Sequence, residues 1–187
     1  MTLTAVLFTG GESRRMGADK ATLMVAGVPL WARQLSVLRG LSPEKIVISA
    51  RTRPAWTPPE MDVVLDQPPT RGPLNGLAAA LKELQTTHLL VLAVDLPQMT
   101  SEQLRKLWSL AEPGGGVIPQ GGNHFEPLGA IYPVEAAAVA ADALAVGELS
   151  LQSLAQILLE QRRLRIYPLS EAELPLYRNV NTPADLK

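Results

Sequence analysis

Along the chain, short apolar runs closed by glycine, proline or aspartate alternate with longer segments whose apolar residues recur at helical spacing. The first run, Leu3 to Phe8, is continuous, the pattern of a central strand covered on both faces in a parallel sheet. Pro29 to Leu38 sets Leu30, Gln34, Val37 and Leu38 at helical spacing, with Pro29 suited to a first turn and Gly40 to a stop. Lys45 to Ala50 and Asp62 to Leu65 are β-branched runs and predict two strands, joined by a proline-rich loop, TRPAWTPPE. A Leu/Ala helix is predicted over Leu74 to Leu84, and a buried strand over His88 to Val94. Ser101 is the expected N-cap of a helix whose stripe is Leu104, Leu107, Trp108 and Ala111.

Beyond Gly114 to Gly116 the pattern predicts strands at Val117-Ile118 and Leu128 to Tyr132, and an alanine-rich helix from about Val134 to Val146. A helix over Leu151 to Leu159 and a strand over Leu164 to Pro168 follow. The closing NVNTPADL offers Thr182 as N-cap and Pro183 as first helical residue, of a helix barely one turn long, as in a chain cut short. Such alternation predicts an α/β fold, a three-layer α/β/α sandwich with a mostly parallel, doubly wound sheet. Ligands of such sheets sit outside the carboxyl ends of the strands. Three features fall there: the glycine- and arginine-rich loop after Phe8, Asp66 after DVVL, and Asp95 after HLLVLAV. Asp66 and Asp95 are expected side by side.

Length and charge narrow the picture. The 187 residues suit one domain. Seventeen Lys and Arg against 18 Asp and Glu leave a net charge of −1, so no global field draws the chain to nucleic acid or an acidic membrane. The absence of cysteine removes disulfides, thiolate metal sites and cysteine nucleophiles. The first apolar run is too short for a signal-peptide core or a membrane span, which makes a cytoplasmic location the expectation.

The loop LFTGGESRRMGADKATL, residues 7 to 23, packs three glycines, two adjacent arginines and a lysine behind a buried strand. Gly10 and Gly11 let backbone N–H groups form an anion nest, and Arg14, Arg15 and Lys20 can neutralise charge. Neither GxxxxGK[ST] nor GxGxxG is present, so the two common phosphate-loop readings fail, and with them a dinucleotide-dependent oxidoreductase. An ionised Asp95 between apolar neighbours needs a partner, and Mg²⁺ held by one or two carboxylates plus phosphate oxygens supplies one. The structural alternatives are a solvated surface turn for the loop and a cap or turn former for each aspartate. Taken together, the features suit a metal-bound nucleoside triphosphate, whose chemistry needs positioning and charge stabilisation rather than a side-chain nucleophile.

The same loop resembles the signature of the molybdenum cofactor guanylyltransferases, approximately LAGGxSxRMGxDK, at Gly10, Gly11, Ser13, Arg15, Met16, Gly17, Asp19 and Lys20. PLW (29–31), GPLNG (72–76), AVDLP (93–97), EPLGAIY (126–132) and NVNTPADL (179–186) follow in the family's order, so the resemblance spans essentially the whole chain. It implies a Rossmann-like nucleotidyltransferase sheet in a single domain, with a nucleotide-binding half of about residues 1–100 and an acceptor-binding half of about 101–187. The implied reaction is attack of the molybdopterin phosphate on the α-phosphate of GTP, releasing pyrophosphate. Arg15 and Lys20 would stabilise the triphosphate, Asp95 would hold Mg²⁺ and Asp66 would contact the nucleotide. The backbone around Phe8, Thr9 and Gly10 would line the guanosine, Gly11 would also bind nucleotide, and Asn179 and Asn181 would face the pterin side. The implied partners are the two substrates, with transient contact to cofactor-delivery proteins or molybdoenzymes. Thr9 stands for the usual Ala, Phe8 for Leu and Asn75 for a common Ala. The strand end ISART leaves Ser49 or Arg51 in place of a nucleotide-contacting Asn. These departures bear on base preference more than on reaction type.

Readings of other classes are a relative using CTP on the pterin or a nucleotide on a sugar phosphate, and a noncatalytic nucleotide-binding protein. Outside the motifs, His88 and His124 are isolated, and an approach of His124 to the second substrate is left open. Trp31 and Trp108 are expected to pack helices and Trp56 to anchor its loop, while EQRRLR, residues 160 to 165, reads as a solvated face or a helix-dipole partner.

Overall fold

The computed structural model describes residues 1–9, 19–66 and 72–180. Among them the sequence alternation becomes ten strands: β1 (Leu3–Phe8), β2 (Met24–Val25), β3 (Val28–Pro29), β4 (Lys45–Ala50), β5 (Asp62–Leu65), β6 (His88–Ala93), β7 (Gly116–Gly121), β8 (His124–Phe125), β9 (Gly129–Pro133) and β10 (Leu164–Pro168). Five α-helices accompany them: α1 (Leu30–Arg39), α2 (Gly72–Lys82), α3 (Ser101–Leu110), α4 (Ala136–Ala145) and α5 (Leu151–Glu160). The main sheet runs in the order β10-β7-β9-β6-β1-β4-β5, with β8 paired to β7. β1 is central and parallel to both β4 and β6, as its unbroken apolar run implied. β9 lies antiparallel between β6 and β7, so the sheet is mixed but mostly parallel.

Alternate residues of each central strand feed two cores. Val6, Phe8, Leu89 and Val91 face α2, α4 and α5 through Leu74, Leu77, Leu81, Ala140, Leu154 and Leu158. Ala5, Leu7, Leu90 and Leu92 face α1 and α3 through Leu30, Leu35, Leu38, Leu104 and Leu107. Burial on both faces explains why β1 and β6 read as continuous rather than alternating runs.

Several local expectations shift. Thr100, not Ser101, caps α3: its hydroxyl accepts from Gln103 N at 3.2 Å, and Ser101 Oγ instead donates to Val37 O of α1 at 2.8 Å. Gly40 closes α1 where a Cβ would collide with Ser101, so the stop is also the contact between α1 and α3. Pro29 is extended, with φ −67° and ψ 146°, and ends a two-stranded ribbon rather than opening the helix. That ribbon turns at Ala26 and Gly27, both at positive φ, the two-residue hairpin geometry that usually takes Asn-Gly. The closing helix expected after Thr182 lies outside the described residues. No described helix is long and apolar enough to cross a membrane.

Candidate functional site at the carboxyl edge of the sheet

The ladder extends past the strand ends and sets the site's frame. Thr9 N and Thr9 Oγ1 both donate to Ser49 O at 3.0 Å, Val94 N donates to Phe8 O at 2.9 Å, and Asp66 N to Ala50 O at 3.0 Å. The hydroxyl of Thr9 thus adds a bond that alanine could not make. Phe8 itself is buried, with its carbonyl already engaged. Gly10, Gly11 and Arg15 lie outside the described residues, as does Asn181.

Lys20 returns to this edge. Asp19 caps a short 3-10 turn, Lys20–Thr22, its Oδ1 accepting from Ala21 N at 3.0 Å. Lys20 Nζ then stands 3.6 Å from Asp95 Oδ2, both side chains about a quarter exposed. Burial pushes the Asp95 carboxyl above its ordinary range, and the Lys20 ammonium opposes the shift. Asp95 does not cap α3, since Thr100 does. Its turn is held from two other elements. Gln34 Nε2 of α1 donates to Leu96 O, Arg33 Nε donates to Pro97 O at 2.7 Å, and Val180 N donates to Asp95 O at 2.9 Å. The last bond sets the exposed Asn179 beside Asp95.

Asp66 forms a separate cluster. A Cβ on Gly76 of α2 would lie 2.9 Å from Asp66 Oδ1, 2.9 Å from Ser49 Oγ and 3.1 Å from Phe8 Cε1, so these three groups converge on a backbone bare of side chain. Burial raises the Asp66 carboxyl and the nearby Arg51 guanidinium opposes it. Ser49 is buried and Arg51 exposed, so both residues offered for that strand end adjoin Asp66, from inside and outside. Asp66 and Asp95 are not neighbours, contrary to expectation. β1 and β4 run between β5 and β6 in the sheet, a span of roughly 14 Å at ordinary strand spacing. One metal ion cannot bridge both.

Among the described residues no group of three or more His, Cys, Asp or Glu side chains is placed to hold a metal. A cation at Asp95 would draw its remaining ligands from phosphate and water, which is how Mg²⁺ commonly binds. A cavity of about 790 Å³ opens at the opposite edge, among Thr4, Lys45, Asp62 and Glu83. Its Lys45 and Asp62 neutralise each other at 2.7 Å, and none of the strand-end groups reaches it.

Two contributors escaped the sequence pattern, and a third, Trp56, was foreseen only as a loop anchor. Gln34 was one member of the α1 stripe, and its burial and bond to Leu96 O show it to be a brace for Asp95. Glu126, in the segment entering β9, reaches the same edge because β9 runs backwards, Ala93 N donating to Leu128 O at 2.8 Å; burial pushes its carboxyl up to about 7. Trp56 stacks on Trp31 with centroids 5.2 Å apart, which bears out its reading as a loop anchor, and also donates from Nε1 to Asp19 Oδ2 at 2.7 Å.

The chain as a whole has close relatives. A probable molybdenum cofactor guanylyltransferase of Opitutus terrae is 38% identical, over 98% of this chain and 92% of its own. A molybdenum cofactor guanylyltransferase of Syntrophotalea carbinolica is 29% identical, over 98% and 89% respectively. The crystal structure of molybdopterin-guanine dinucleotide biosynthesis protein A from Archaeoglobus fulgidus superposes with a TM-score of 0.75 at 28% identity, covering 98% of this chain and 94% of that one. Residues 5–164 match the model of the MobA-like NTP transferase domain, and the chain belongs to that family of nucleotidyltransferases.

Proposed function

We propose that the protein transfers GMP from GTP to the phosphate of molybdopterin, forming the guanine dinucleotide and releasing pyrophosphate. In this reading it is a cytoplasmic enzyme acting on small molecules, not on nucleic acid or membranes. The observation that carries it is the Lys20–Asp95 pair, a cation and a desolvated carboxylate 3.6 Å apart at the strand ends. An oxygen of the acceptor phosphate attacks the α-phosphorus, the bond to the bridging oxygen breaks, and that oxygen leaves with pyrophosphate. Lys20 offsets the negative charge that builds on the triphosphate, with Arg15 assigned the same task by the family motif. Mg²⁺, when bound at Asp95, adds charge neutralisation along the polyphosphate. The Ser49–Asp66–Phe8 cluster around Gly76 faces the nucleoside, and Asn179, fixed through Val180, faces the acceptor, a task the family motif assigns to Asn181 as well.

The test is pyrophosphate release by the purified chain with molybdopterin, Mg²⁺ and each of the four ribonucleoside triphosphates. Release is expected with GTP, and Asp95→Ala should lower it by about a thousandfold while leaving the circular dichroism spectrum unchanged. A preference for CTP would overturn the base assignment. Nucleotide-dependent stabilisation without turnover would indicate the noncatalytic reading.

A further inference from the structure

We propose that Trp56 is a positioning residue for Lys20: its indole N–H, anchored by the stack on Trp31, holds the Asp19 carboxylate and thereby sets where the Lys20 ammonium meets Asp95. The proposal rests on the role given above to Lys20 and Asp95. Asp19 uses its two oxygens separately, Oδ1 on Ala21 N at 3.0 Å and Oδ2 on Trp56 Nε1 at 2.7 Å. The first bond shapes the turn that begins with Lys20, and the second ties that turn to a different part of the chain. A short bond to a carboxylate is among the stronger neutral-donor contacts.

The anchor can bear this task because its own loop is framed. Residues 51–61 leave the end of β4 and return to β5, and Arg53 Nη2 donates within them to the carbonyls of Pro58, Pro59 and Met61 at 3.1, 3.4 and 3.2 Å. Thr57 N donates to Pro54 O at 3.1 Å. Three prolines restrict the unfolded loop and so lessen the entropy lost on ordering it. Trp31, in the first turn of α1, meets the Trp56 ring at an interplanar angle of 13°. α1 also carries Arg33 and Gln34, which brace the turn after Asp95. One helix therefore fixes both members of the Lys20–Asp95 pair, the carboxylate through Gln34 and the ammonium through Trp31, Trp56 and Asp19. The loop also connects the nucleoside-side strand end at Ser49 to the phosphate-side cation.

Trp56→Phe keeps a ring for the stack and deletes the donor, and Asp19→Asn keeps an oxygen for Ala21 N. The readouts are steady-state pyrophosphate release and acetylation of Lys20 by acetic anhydride, followed by mass spectrometry with the exposed Lys45 as internal reference. Either substitution should lower kcat about tenfold with KM for the nucleotide changed less than about threefold, because Lys20 is displaced where charge develops. Lys20 labelling should rise about fivefold relative to Lys45, and the double substitution should add little to either single one. Unchanged Lys20 labelling in both single variants overturns the proposal, whatever the rate does. Wild-type protein without turnover would overturn the proposed function instead, and the labelling would still decide the role of Trp56. Should Trp56→Phe fold poorly, Asp19→Asn carries the same test.

Discussion

At the scale of residues, Gln34 shows how a polar group inside a core serves the site. It is fully buried, its Nε2 donates to Leu96 O, and its Oε1 has no partner among the described residues. In Gln34→Leu two effects oppose each other in stability. The Leu96 carbonyl loses its donor, which costs about 1–3 kcal/mol, and the unpaired amide oxygen disappears, which returns a similar amount. Net unfolding free energy should move by less than about 1 kcal/mol in urea titration, while pyrophosphate release falls about tenfold as the Asp95 turn loosens. Asp66 and Asp95 were legible in the sequence because each directly follows an apolar strand run, and Lys20 because it is a cation of the glycine- and arginine-rich loop that follows another. The bracing role of Gln34 and the bond from Trp56 to Asp19 were not, because their partners lie 62 and 37 residues away and only the fold brings them together.

At the scale of elements, the C-terminal segment is pinned through one carboxylate. Glu173 is partly desolvated, which would raise it, but Lys106, Tyr167 and Ser170 all donate to it and hold it down at about 2. Its folded value lies below the ordinary 4.5, so the stability it contributes is full above that pH and is lost as pH falls toward about 2. Glu173→Gln should cost about 1–2 kcal/mol at neutral pH and nothing near pH 2, read from thermal melts across that range. The loss should also reach the site. The 3-10 turn Leu174–Tyr177 follows Glu173, Tyr177 packs over Gly129, and Val180 holds Asp95. Length decided which elements the pattern could reveal. The runs of β1, β4, β5 and β10 were legible at their observed bounds, since four to six apolar or β-branched residues carry a period. The two-residue strands β2, β3 and β8 carry none. The direction of β9 was equally hidden, because a strand buried on both faces reads the same either way.

At the scale of the whole molecule, the expected nucleotide and acceptor halves share one sheet. β6 from the first half pairs along five residues with β9 from the second. The core against Val6, Phe8, Leu89 and Val91 is completed by α4 and α5. Neither half can bury its sheet face alone, so the chain should unfold in a single transition, with calorimetric and van't Hoff enthalpies equal within about 10%. Two resolved transitions would show the halves to be independent.

β9 runs against its neighbours, and this has a further effect on how the protein can vary. Parallel strands deliver to the active edge the loops that leave them, whereas a reversed strand delivers the loop that enters it. Residues 122–128 therefore reach the edge from the opposite chain direction to Asp66 and Asp95, and meet the end of β6 where Leu128 O accepts from Ala93 N. On the proposed assignment of the second half of the chain to the acceptor, insertions there would reshape that side and leave the phosphate side in register. A scaffold built this way can exchange one substrate for another while keeping the same leaving-group chemistry.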